Sequence, residues 1–188
     1  MALFILVICG SGNNMEMFYY DSIIAEYEQH HKFHELLSYL LQLYSSKKNI
    51  IVLDTIIAYS WYFAISPEYD YEDNYNYDEF IALWNQYIDI GIQDFSDNPC
   101  FNFIAGYTLG LHYVYISVYR SDQKEYKKFM AKAAQQSINL EIKLLAKNFI
   151  ANEKSHGYIY LNNNDIIYSL FPSDSLLDIY FRQIYLTI

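Results

Sequence analysis

Three histidines, His30, His31 and His34, are the closest this chain comes to a metal-ligating pattern, because positions 30 and 34 fall one turn apart on a helix. The glutamate of an HExxH motif is missing, and no cysteine stands nearby to complete a ligand set. They read as solvated or capping residues at a helix junction, and the isolated His112 and His156 read the same way. For covalent chemistry there is no Gly-x-Ser-x-Gly elbow, and phosphate cradling would need a P-loop or a Gly-x-Gly-x-x-Gly turn that the chain lacks. Cys9 and Cys100 sit in apolar surroundings outside any CxxC pattern, which suits small core residues in a reducing compartment. We therefore expect a non-enzymatic protein, with no catalytic residue, no cofactor and no metal.

The remaining chemistry is charge. Between Lys48 and Arg120 the chain runs 71 residues without a lysine or arginine, and the same stretch holds ten carboxylates. Acids and bases balance elsewhere, so the whole formal charge of −10 originates there. Six of the acids crowd into residues 68–79, interleaved with four tyrosines. A one-signed patch attracts oppositely charged partners and repels nucleic acid and anionic membranes. Tyrosine adds large contact area at low entropic cost, and a carboxylate pairs bidentately with arginine. A purely solubilising loop needs no aromatics, so we read the segment as a recognition surface for a basic protein. Its candidate contacts are Glu68, Tyr69, Asp70, Tyr71, Glu72, Asp73, Tyr75, Tyr77, Asp78 and Glu79, with Asp89, Asp94 and Asp97 further along. Calcium is a poorer fit, because Asp70-Tyr71-Glu72-Asp73 lacks the loop glycine and the closing glutamate of an EF-hand. The basic stripe Lys124, Lys127, Lys128 and Lys132 reads as a solvated helix face, since nucleic-acid affinity must overcome the acidic total.

Helices must position these groups. Six glycines and three prolines in 188 residues leave little punctuation for short strands, while apolar residues make up 53% of the chain. An apolar stripe at Met17, Tyr20, Ile23, Ile24 and Tyr27 predicts a first helix after an Asn13-Asn14 cap, ending near His30. Phe33 to Tyr44 repeats the pattern and closes on Lys47-Lys48, cations at the negative end of a helix dipole. Asn49 caps a third helix over 50–65, apolar nearly all round and so central, which Ser66-Pro67 ends. Asp78-Glu79 opens the next, running to about Phe95. Asp97-Asn98-Pro99 starts another that carries Gly106 and Gly110 towards Arg120. Ser121-Asp122 caps a further helix, with a break near Asn139, to about Asn152. Residues 157–170 admit two readings, a small β-hairpin or a short helix capped by the asparagines. Pro172-Ser173-Asp174-Ser175 opens the last helix. The expected fold is all-α: a single domain over 1–188, a bundle or stacked array of about eight helices in antiparallel pairs.

Two segments raise the question of a membrane. Residues 2–9 resemble a short signal-peptide core but lack a basic n-region, so a buried first segment fits better, as does an upstream extension over 1–16 before a start at Met15 or Met17. Residues 100–119 are uncharged and contain Gly106-x-x-x-Gly110, yet Asn102, His112 and four tyrosines suit a buried central helix better. No membrane partner is expected.

Two further stretches carry a resemblance. Asp97-Asn-Pro-Cys-Phe-Asn-Phe-Ile-Ala-Gly-Tyr-Thr-Leu-Gly-Leu-His112 and Leu170-Phe-Pro-Ser-Asp-Ser-Leu-Leu-Asp-Ile-Tyr-Phe-Arg182 cover less than a fifth of the chain. With its small size, acidity and lack of catalytic motifs, the chain resembles bacterial immunity proteins, the cognate inhibitors of polymorphic toxins such as those of contact-dependent growth inhibition. Both stretches are fold-forming, and such proteins share no catalytic motif, so no functional residue carries over. The resemblance implies a cytoplasmic protein that blocks a toxin, commonly a nuclease with a basic cleft. A helical-repeat-like interaction scaffold or adaptor, without inhibitory role, is the alternative.

Overall fold

The structure is a computed structural model that describes residues 17–66, 77–111, 125–151 and 164–186. Nine helices occur among the described residues, and no strand. They are α1 (Ser22–Gln29), α2 (Phe33–Lys47), α3 (Ile50–Ile65), α4 (Tyr77–Asp94) and α5 (Pro99–Leu111), then α6 (Glu125–Gln136), α7 (Leu140–Ala151), α8 (Asn164–Leu170) and α9 (Leu176–Leu186).

Local chemistry sets most of these boundaries. Asn49 caps α3 by accepting the Ile51 amide at 2.8 Å, and Asn98 caps α5 by accepting the Cys100 and Phe101 amides at 2.9 and 3.1 Å. Pro99 then occupies the first turn of α5, where its missing N–H costs nothing. Lys48 ends α2 in the left-handed region at φ 37°, its N–H bonded to the Tyr44 carbonyl at 2.7 Å. The anticipated break near Asn139 is real: Asn139 accepts the Ile142 amide at 2.9 Å and starts α7. The first helix is shorter than its apolar stripe implied. It begins at Ser22 because Asp21 accepts the Ile23 and Ile24 amides, both at 3.0 Å, which leaves Met17 and Phe18 buried in an irregular lead-in. Of the two readings for 157–170, the helix is found over Asn164–Leu170, so the hairpin's second strand is excluded there; residues 157–163 lie outside the described set. The reason is periodicity: Ile167, Leu170 and Phe171 are all buried, at helical i, i+3, i+4 spacing.

Helix α3 is the axis of the molecule. Every side chain from Val52 to Ala64 is buried, and α2, α4, α5 and α9 all pack on it. Phe63 meets Phe33 of α2 at 4.5 Å and Phe80 of α4 at 5.7 Å, which sets both neighbours antiparallel to α3. A second layer forms from α5, α6 and α7. Gly106 approaches the Met130 backbone, Gly110 faces Tyr126, and Asn102 faces Gln136, a register that runs α5 and α6 antiparallel. The GxxxG motif thus brings α6 and α7 against a buried helix. No helix among the described residues is long and apolar enough to cross a membrane. Finally, Phe18 packs on Phe171 and Phe181, so the lead-in to α1 meets the last two helices.

Candidate functional site

Thirteen residues were expected to contact a partner, and seven of them (Glu68, Tyr69, Asp70, Tyr71, Glu72, Asp73 and Tyr75) lie outside the described residues. The other six are on or beside α4. Tyr77, Asp78 and Glu79 open that helix, where the two carboxylates favour its positive end. Exposed positions Asp78, Ala82, Gln86, Asp89 and Gln93 recur at spacings of four and three and draw one outer stripe along α4. The opposite face carries Phe80, Ile81, Trp84, Tyr87, Ile88 and Gly91 into the core. Asp78 and Asp89 are separated by about 16 Å along the helix axis, at 1.5 Å per residue. Helix α4 contains no lysine or arginine.

The far end of this surface is mixed in sign. Asp94 and Asp97 are exposed, but folding returns two lysines from outside the basic-free run to the same place. Lys48 Nζ lies 3.9 Å from the Asp94 carboxylate, an exposed pair that contributes little. Lys132 Nζ donates to the Ser96 carbonyl at 3.2 Å, next to Asp97. Asp54, the first acid of the run, is only 1% exposed inside α3 and adds nothing to a contact surface. A gap in linear charge is therefore not a gap in space.

Sequence reading passed over two aliphatic residues at the same end. Ile138 is 85% exposed and Leu140 is 61% exposed, in the joint between α6 and α7. Asn102 Nδ2 ties this joint to the α4–α5 loop, donating to Ser96 O at 2.9 Å and to Gln136 Oε1 at 3.4 Å. The only sequence signal was their position beside a helix break.

Two carboxylate–tyrosine clusters were also missed. Asp21 Oδ2 accepts the hydroxyls of Tyr19 and Tyr39 at 2.8 and 2.6 Å, while Oδ1 caps α1. Glu28 accepts the Tyr59 hydroxyl and the Leu176 amide, the latter at 2.9 Å. Burial pushes Tyr39 and Tyr59 well above the ordinary tyrosine range, so both hydroxyls keep their protons and serve as donors. Both carboxylates are engaged by this chain's own groups and act as helix caps. Of the described histidines, His30 closes α1 through its backbone amide on the Glu26 carbonyl, and the His34 ring stacks on Phe80 at 5.2 Å.

The arrangement presents exposed carboxylates and amides on a helix whose other face buries Phe80, Trp84 and Tyr87. Comparison with protein families, characterised proteins and solved structures finds no match to this chain.

Proposed function

We propose that this chain is a non-enzymatic immunity protein, acting in the cytoplasm, that binds and neutralises a basic toxin domain, foremost a nuclease. The exposed side of α4 carries this reading, because Asp78 and Asp89 lie on its outer stripe and the exposed Glu79 stands beside it, on a helix without a base of its own that follows the acidic Tyr-rich segment in sequence. Carboxylates presented in this way pair with the arginines and lysines that line a nucleic-acid cleft and keep substrate out of it.

The probe is the toxin domain encoded directly upstream of this chain's gene, carried as a catalytically inactive variant. Replacing Asp78, Glu79 and Asp89 together with lysine should slow association at low salt by about tenfold or more, with the rates converging as salt is raised. The intact chain should also relieve growth arrest by the active toxin, and the triple variant should relieve it less. Equal association rates for the two proteins at low salt would refute the role of α4.

A further inference from the structure

The joint between α6 and α7 holds an apolar pair away from the core. Ser137 is buried, and its amide closes α6 on the Ala133 carbonyl at 3.1 Å. Its hydroxyl exchanges bonds with the Asn139 backbone, donating to the carbonyl at 3.0 Å and accepting the amide at 3.1 Å. Asn139 Oδ1 then caps α7 on the amide of Ile142, whose side chain is buried. With Ser137 and Ile142 fixed inward, Ile138 and Leu140 are left facing solvent. Both are more exposed than Ile23 and Tyr168, the other large apolar side chains at the surface of the described residues. The bonded turn holds their backbone in place, so little backbone freedom is left to lose when a partner covers them.

We propose that Ile138 and Leu140 are the apolar anchor of the interface whose acidic arm is α4, covered by an apolar side chain set among the lysines and arginines of the same basic toxin domain. The proposal rests on the immunity reading and assigns it a second contact. Position joins the two parts. Asn102 Nδ2 and Lys132 Nζ both bond the Ser96 carbonyl, and Asn102 also reaches Gln136, so the end of α6 is tied to the loop that directly follows α4. The surroundings select a basic occupant, because the exposed Asp89, Asp94 and Asp97 carry the acidic stripe up to this joint. They also select this end for the dry part of the contact. Lys48 is already paired with Asp94, and Lys132 with the Ser96 carbonyl, so covering the joint leaves neither lysine in need of a new partner.

The two parts then act on different rates. Charges spread along α4 draw in a basic surface from a distance, which sets association and fades with salt. An apolar anchor acts only after contact, so it sets dissociation and is insensitive to salt screening.

Ile138→Thr combined with Leu140→Gln removes the apolar surface while keeping a β-branched residue in the turn and a helix former at the start of α7. Both side chains are exposed, so circular dichroism and the thermal midpoint should match the wild type. Binding is measured on the catalytically inactive toxin domain encoded directly upstream. The double variant should associate at the wild-type rate and dissociate about tenfold faster or more, at low and high salt alike. The variant carrying Asp78→Lys, Glu79→Lys and Asp89→Lys should instead associate more slowly. A double variant that dissociates at the wild-type rate overturns the anchor and leaves the role of α4 standing. A wild-type chain that does not bind the domain overturns the immunity reading, and the anchor with it. Self-association of the chain alone, seen by sedimentation and lost in the double variant, assigns the pair to a second copy and equally overturns the proposal. Should the double variant unfold, Ile138→Thr alone decides by the same dissociation rate.

Discussion

Trp84 shows how closely single polar groups are held in this core. Its ring is fully buried, and its indole N–H donates to Thr108 Oγ1 of α5 at 3.1 Å, while the Thr108 hydroxyl donates to the Ile104 carbonyl at 3.0 Å. Thr108→Val keeps the shape and removes the acceptor, stranding the indole donor. The expected loss is about 1–3 kcal/mol of unfolding free energy, read from urea denaturation. In a Trp84→Phe background the same change should cost markedly less, because no buried donor is left unpaired. Caps at this scale were readable at Asn49 and Asn98, where donor and acceptor are close in sequence; Asp21, equally local, was passed over because the apolar stripe from Met17 placed the helix start earlier. Glu28 with Leu176, and Asp21 with Tyr39, were not readable, because nothing in a local pattern says which distant hydroxyl or amide a carboxylate will meet.

Among the helices, α4 is bound from both sides by opposite demands. Its outer stripe is polar, and its inner face must let α5 come close. An added Cβ at Gly91 would lie 2.1 Å from the ring of Phe101, which is fully buried and packed edge-on to Phe129. Alanine raises helix propensity by about 1 kcal/mol at an exposed site. Here overpacking outweighs that gain, so Gly91→Ala should destabilise by about 1–3 kcal/mol and lower the thermal midpoint. Helix boundaries were largely legible from the 3.6-residue period and the caps; α3 was placed over 50–65 and runs Ile50–Ile65. The candidate site was legible in part. The sequence pointed to the carboxylates on α4, but not to Lys48 and Lys132, because spatial neighbours brought in by antiparallel packing leave no trace in linear spacing.

Across the whole molecule, the aromatic network around α3 and α9 is continuous. Phe181 alone meets Phe18, Tyr107, Phe171 and Tyr180 at centroid distances of 4.7 to 5.6 Å. Such sharing predicts a single cooperative transition, with tryptophan fluorescence from Trp61 and Trp84 coinciding with helical circular dichroism. Phe181→Ala should cost about 3–5 kcal/mol while the two probes stay coincident; separated transitions would mean that the last helix unfolds by itself. The bond between Glu28 and Leu176 also has a consequence for biosynthesis. The axial helix leaves the ribosome more than a hundred residues before α9, its final cover. At roughly 5–20 residues per second, the aromatic side of α3 facing α9 stays without that cover for about 6–24 s of every translation cycle. During that interval Trp61 and Tyr62 lack the contact with Tyr180 that the finished fold gives them.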